Sequence, residues 1–240
     1  MQKHLFLAGA SGAIGRPLIA LLLADGWAIT GTTRSPAKAQ QLTALGIEAA
    51  VIDVFDADAL HAAVLRARPD VVVHQLTDLP PGLDPARMAE ARVSNARIRD
   101  EGTRNLIAAA VASGARRLVA QSVGFAYAPG TVPYREEDPL DLGTPAQPNV
   151  SGRGVASLER QVMAAPLEGL VLRYGSLYGP GTGFDTTTRS GPLHVEDAAE
   201  AARLAVRIGP RGIYNIAEDD GTVSIDKAKR LLGWRPKHGV

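Results

Sequence analysis

The stretch His4-Leu5-Phe6-Leu7-Ala8-Gly9-Ala10-Ser11-Gly12-Ala13-Ile14-Gly15 decides the fold. Its first five residues are an apolar run of strand length, and the chain beyond Ala13 places Ile19, Leu22 and Leu23 at helical spacing. Between strand and helix, glycine recurs at Gly9, Gly12 and Gly15. Glycine-rich turns are common, but this setting gives each glycine work: a tight turn, close backbone approach to a pyrophosphate, and close helix–strand packing. The helix N-terminus then faces the phosphates with unpaired amides and the positive end of its dipole. The segment reads as a dinucleotide cradle built from Gly9, Ser11, Gly12, Ala13, Ile14 and Gly15.

Outward from this turn, short Val-, Ile- and Leu-rich runs alternate with longer amphipathic ones. Strands are expected at His4–Ala8, Ala28–Thr33, Glu48–Val51, 71–75, 117–121 and 169–173, and helices at 13–25, 36–45, 57–67, 86–113 and 154–165. Apolar strands joined by helical crossovers of ten or more residues make a parallel sheet covered on both faces. The expected fold is a doubly wound, Rossmann-like α/β sheet with helices on both faces, in one NAD(P)-binding domain spanning 1–240. A reduced substrate lobe is expected around 128–152 and 174–240. The first of these segments is irregular, punctuated by Pro129, Pro133, Pro139, Pro145 and Pro148, and a long loop of this kind is commonly functional.

Composition narrows the function. The 240 residues contain no cysteine, which excludes a disulfide scaffold, a thiolate metal site and a cysteine nucleophile. Twenty-six basic against twenty-five acidic residues give no bulk charge for a polyanion. No apolar run reaches the ~20 residues of a membrane helix, and the start of the chain lacks the pattern of a signal peptide. A cytoplasmic protein is expected, with a small-molecule substrate or none, a homodimer as the assembly to consider, and neither nucleic acid nor membrane as partner. No metal cluster is expected.

The second strand runs into Gly31-Thr32-Thr33-Arg34-Ser35-Pro36, without the acid that would bind the ribose hydroxyls of NAD. An aspartate there would repel a 2′-phosphate, whereas a guanidinium binds one bidentately. Thr33, Arg34 and Ser35 therefore point to NADP ahead of NAD, with Lys38 as a helper. Asp53 and Val54 follow the third strand. Asp53 has two readings: an acceptor for the adenine amino group, or a cap for the next helix.

The chain resembles the extended short-chain dehydrogenase/reductases of the NAD(P)-dependent epimerase/dehydratase family. Beyond the glycines, the resemblance rests on Gly102-Thr103 with Asn105-Leu106, Glu137-Asp138-Pro139, Arg173-Tyr174-Gly175, Tyr178-Gly179-Pro180-Gly181, His194-Val195-Glu196-Asp197, Tyr214-Asn215-Ile216 and Leu232-Gly233-Trp234-Arg235-Pro236. It implies that Gln75, Leu76 and Tyr174 also line the cofactor cleft. The family's chemistry uses an Asn, a Ser or Thr, a Tyr and a Lys, the last two as a proton relay. In the matching positions this chain has Arg99, Val123, Ser151 and Val155. Ser122 and Tyr127 are the remaining candidates for a catalytic hydroxyl, and His74 and His194 the nearby histidines. Between the Tyr-Gly-Pro-Gly turn and His194 only residues 182–193 remain, where the family has a larger helical insertion.

Three functions stay open at this point. One is an NADP-dependent oxidoreductase acting on a small carbonyl or hydroxyl compound through an atypical site. Another is a non-catalytic NADP-binding sensor or regulatory protein. The third, a nucleotide-sugar epimerase, requires the tetrad this chain lacks.

Overall fold

The structure, a computed structural model, describes residues 2–186 and 189–239. Seven strands form the main sheet: β1 (His4–Ala8), β2 (Ala28–Thr33), β3 (Glu48–Val51), β4 (Val71–His74), β5 (Arg117–Val123), β6 (Glu168–Tyr174) and β9 (Gly212–Ile216). Their order is β3-β2-β1-β4-β5-β6-β9, with every pairing parallel. The order reverses between β1 and β4, and such a switch point opens a crevice at the carboxyl ends of the strands. Alternation along β1 feeds two cores: Leu5 and Leu7 pack on one face, Phe6 and Ala8 on the other. Burial on both faces is why β1 and β4 read as unbroken apolar runs.

Helices α1 (Gly15–Ala24) and α2 (Pro36–Ala44) cover the first face together with α7 (Val195–Arg207). On the other face lie α3 (Ala57–Ala67), α4 (Met88–Arg97), α5 (Thr103–Ser113) and α6 (Val150–Ala164). The single helix expected over 86–113 is instead interrupted by one π-helical turn, Ile98–Gly102. Packing against α6 holds this turn: Asp100 accepts hydrogen bonds from Ser157 (2.5 Å) and from Gln161. Helix α6 starts four residues earlier than expected, because Asn149 caps it by accepting from the Gly152 amide at 3.0 Å. Gly154, which reads as a helix breaker, is there for close packing. A Cβ on it would stand 2.8 Å from the Ala96 Cα of α4.

The segment 174–240 is less of a separate lobe than expected. Helix α7 packs on α1, and β9 extends the main sheet beside β6. Outside the sheet stand the two-stranded ladder of β7 (Ser176–Tyr178) and β8 (Pro192–His194), helix α8 (Asp226–Leu231) and loops. The shortened stretch 182–193 includes Thr187 and Thr188, which lie outside the described residues. No helix among the described residues is long and apolar enough to cross a membrane.

Two buried polar groups brace the carboxyl ends of β4, β5 and β6. Glu159 of α6 pairs with Arg173 of β6 at 2.7 Å, their side chains 6% and 3% exposed. Burial works against the Arg173 charge, but the bond and charge of Glu159 outweigh it, and the guanidinium stays ionised. His74 at the end of β4 is 1% exposed. Its Nδ1 accepts from the Leu76 amide at 3.3 Å, which leaves the proton on Nε2 to bond Thr103 Oγ1 at 3.1 Å. Burial, assisted by the nearby Arg99 charge, lowers its pKa to about 4.

A histidine held neutral in the fold but free to protonate when unfolded favours the unfolded chain as pH falls from about 6.5 towards 4. Between pH 7 and pH 4.5 this group should therefore remove about 2–3 kcal/mol of stability. Urea unfolding at both pH values should show His74→Asn losing less stability on acidification by about that amount. Equal losses in the two proteins would mean that His74 titrates normally in the fold.

Candidate functional site

The carboxyl ends of the strands open into a cleft of about 1880 Å³. The glycine turn forms one wall, with Gly9, Ser11, Gly12, Ala13 and Ile14 on its surface. Gly9 has φ +88°, and a Cβ there would lie 2.5 Å from the Gln75 carbonyl oxygen, so the turn sits directly on the end of β4. Gly15 does not line the cleft. It lies behind the turn, where a Cβ would meet the Gly9 and Ala10 carbonyls at 2.5 and 2.6 Å, so its role is packing. Gly12 differs: only the Gly9 carbonyl comes within 4 Å of a Cβ built on it, at 3.3 Å, and its other side is open. The Ser11 hydroxyl donates to Thr33 Oγ1 at 3.3 Å and ties the turn to the end of β2.

These features fit a dinucleotide. The N-terminus of α1 has no side-chain cap; the Arg16 and Leu18 amides bond the Gly12 and Ile14 carbonyls and Pro17 has none, so the amides open to an anion are those of the turn at Ala13, Ile14 and Gly15. The open face of Gly12 leaves room for a pyrophosphate. Gln75 donates through Nε2 to the Tyr174 hydroxyl at 3.2 Å, and its Oε1 is buried with no partner. A buried acceptor without a donor is costly, and a ligand donor at this wall would satisfy it. Leu76 and Tyr174 line the same wall.

At the outer end of the cleft stand Thr33, Arg34, Ser35, Lys38, Asp53 and Val54. Arg34 is not the free guanidinium that the sequence suggests. It pairs with Asp78 at 2.6 Å, the two side chains 55% and 37% exposed. Asp78, which the sequence reading passed over, also accepts from Ser94 at 2.6 Å, and Asn95 binds its backbone. These bonds hold its carboxyl below the ordinary range, the Ser94 bond most of all. Ser35 caps α2 by accepting from the Lys38 amide. Asp53 does not cap α3; Asp56 does, by accepting from the Ala59 amide, and Asp53 Oδ1 turns instead to the Phe55 amide.

At the inner end neither candidate hydroxyl is poised as an acid. The Ser122 hydroxyl is buried and donates to Glu159 Oε1 at 2.9 Å, an oxygen that also accepts from Arg173 Nε at 2.8 Å. Tyr127 is turned away from the cleft: its hydroxyl donates to Asn215 at 2.6 Å and its ring stacks on Tyr134 at 4.9 Å. It lines a separate cavity of about 260 Å³ behind Phe125. Burial pushes the Tyr127 phenol up, and that of Tyr174 further. Of the tetrad positions, Val155 is fully buried, and Arg99, Val123 and Ser151 line the cleft. No histidine lines the cleft among the described residues. His194 stacks on His238 at 3.8 Å and 26°. Their ligand atoms and that of Glu196 lie within 4.8 Å of one another, away from the cleft lining.

Comparison with known proteins agrees with this geometry. Residues 9–202 match the family model described as NAD(P)H-binding. The 3-diazoavenalumate denitrifying reductase of a Streptomyces species is 38% identical over 283 aligned residues, covering 98% of this chain and 89% of the reductase. UDP-N-acetyl-alpha-D-glucosaminuronate decarboxylase of Bacillus cytotoxicus is 26% identical, over 75% of this chain and 56% of its own. Among solved structures, the UDP-glucose 4-epimerase of Thermotoga maritima superposes with a TM-score of 0.77 at 18% identity, covering 98% of this chain and 94% of the epimerase. The Bordetella bronchiseptica enzyme WbmG in complex with NAD gives 0.76 at 21% identity, over 99% and 90% of the two chains. At such identities the structural likeness speaks for the fold, while the sequence matches fix the family. The chain belongs to the NAD(P)H-binding family.

Proposed function

We propose that this protein is an NADPH-dependent reductase that delivers hydride to a small aromatic diazo compound, with loss of nitrogen. One observation carries the reading: the dinucleotide cradle is intact, while every position of the proton relay is replaced or occupied. Arg99, Val123, Ser151 and Val155 stand in the tetrad positions, Ser122 is held by Glu159, and Tyr127 faces away. Reduction of a carbonyl needs a proton at the new alkoxide, and a positioned donor contributes typically 10²–10⁴-fold. A diazonium carbon needs none. Hydride forms the new C–H bond, the C–N bond breaks, and its electron pair leaves with N2. The substrate gains two electrons and the dinucleotide loses two. The relative that acts on a diazo acid is named a denitrifying reductase, and that chemistry suits a site without a relay.

NADPH, when bound, supplies the hydride. The protein's part is to hold, orient and exclude. The turn amides from Ala13 to Gly15 and the open face of Gly12 would hold the pyrophosphate, and Gln75 Oε1 would accept from the ligand. Arg34 would hold the 2′-phosphate in place of its exposed partner Asp78, which keeps its bond to Ser94. An exposed ion pair is worth about 0–1 kcal/mol, less than a charge-assisted bond to phosphate.

Arg34→Ala should therefore weaken NADPH about ten-fold or more in titration calorimetry and leave NADH nearly unchanged. Equal losses for both would remove the 2′-phosphate role. The reaction itself is tested by single-turnover NADPH oxidation against an aromatic diazonium acid, an aromatic aldehyde and a nucleotide-sugar, each corrected for the protein-free rate. The diazonium acid should be consumed one-for-one with NADPH, releasing N2, and the other two should be left intact. Aldehyde or nucleotide-sugar turnover at a comparable rate would overturn the proposal, and no turnover of any would favour a binding protein.

A further inference from the structure

Arg99 is a charge in the cleft that the features described so far leave unexplained. It sits in the π-helical turn Ile98–Gly102, a form of helix often found at functional sites, and its half-buried side chain lines the inner end of the cleft. It makes no hydrogen bond or ion pair with any described residue. The one acid close enough to act on it electrostatically is Glu159, and both oxygens of Glu159 are already taken by Arg173 and Ser122. Both acids of the turn are engaged elsewhere, Asp100 by Ser157 and Arg104 and Glu101 by Arg97. His74, near enough for the Arg99 charge to lower its pKa, stays neutral and offers no negative charge. Burial pushes the Arg99 guanidinium below its ordinary pKa, as expected of a cation that lacks a full counter-charge.

An arginine drawn out of water without a partner costs stability, and such a cost is commonly retained where a ligand offsets it. The same cleft exposes an aromatic face: Phe125 is 63% exposed and lines it together with Val123 and Ala126. The pyrophosphate cradle is the glycine turn after β1, a different element from the Ile98–Gly102 turn that carries Arg99, so the cofactor's phosphates are already provided for. We infer that Arg99 is the anion anchor of the substrate site, binding the carboxylate of an aromatic acid whose ring lies against Phe125. This rests on the reductase reading for the term substrate, but the anchor is testable without turnover. A planar guanidinium suits a carboxylate bidentately, which would fix the direction in which the acid enters and leave its ring carbon towards the cofactor wall.

The probe is cinnamate against its methyl ester, titrated into NADP-loaded protein. The native protein should bind the acid at least ten-fold more tightly than the ester. Arg99→Gln should bind both alike, Arg99→Lys should keep part of the preference, and NADPH affinity should be the same in all three. Absence of a preference in the native protein, its survival in Arg99→Gln, or a parallel loss of NADPH affinity would overturn the anchor. The two proposals fail separately. A preference for the acid in a protein that reduces no diazonium compound would sink the reductase reading alone, and equal reduction of a diazonium acid and its ester would sink the anchor alone.

Discussion

The carboxylate of Glu159 is the constraint on which the inner half of this cleft depends. It is buried between α6 and the sheet, and it accepts at once from Arg173 of β6 and Ser122 of β5. Removing one partner of such a pair strands the other in a low-dielectric interior, typically at a cost of 3–5 kcal/mol, so the arrangement is fixed. Two consequences follow. The one serine near the family's hydroxyl position is spent on structure, and Arg99 is left facing the cleft with no carboxylate of its own. The same bonds that secure β5 to β6 thus subtract an acid–base group from the site and add an uncompensated cation to it.

The outer half is governed by backbone geometry. Gly9 lies against the end of β4 and Gly15 against the turn itself, so both are required for closure, and Gly12 is the one that leaves space. The wall they make presents the α1 N-terminus to the cleft, and the Ser11–Thr33 bond fixes it relative to β2. The Arg34–Asp78 pair then spans from the end of β2 to the segment after β4. It holds the Arg34 guanidinium at the outer end of the cleft through an exposed partner.

Much of the sheet was legible in the residues because the strands are short, apolar and bounded by glycine or helix signals. β1, β2, β3 and α3 lie where the pattern puts them. The interruption at Ile98–Gly102 was not legible, since the change from α to π spacing lies within a continuous helical run and its geometry is set by α6 through Asp100. The early start of α6 was hidden by Gly152 and Gly154, glycines demanded by packing against Asp141 and Ala96 and not by a turn. In the site, the placement of the glycine turn on the cleft was legible because the strand–turn–helix pattern that sets it is local. The states of Arg34, Ser122 and Tyr127 were not, because each is decided by a residue far along the chain: Asp78, Glu159 and Asn215. Arg99 stood in plain view at a family position, and its lack of a counter-charge emerged only from the packing around it.

The central claim is that this cleft moves hydride without moving a proton to the reacting carbon. The most direct measurement is the origin of the new hydrogen in the product of an aromatic diazonium acid. It is read by mass spectrometry, once with cofactor deuterated at the transferred position in ordinary water and once with unlabelled cofactor in D2O. The account predicts one deuterium on the former diazo carbon in the first experiment and none there in the second. Deuterium arriving at that carbon from solvent would contradict it, because a proton donor would then have to exist in the cleft.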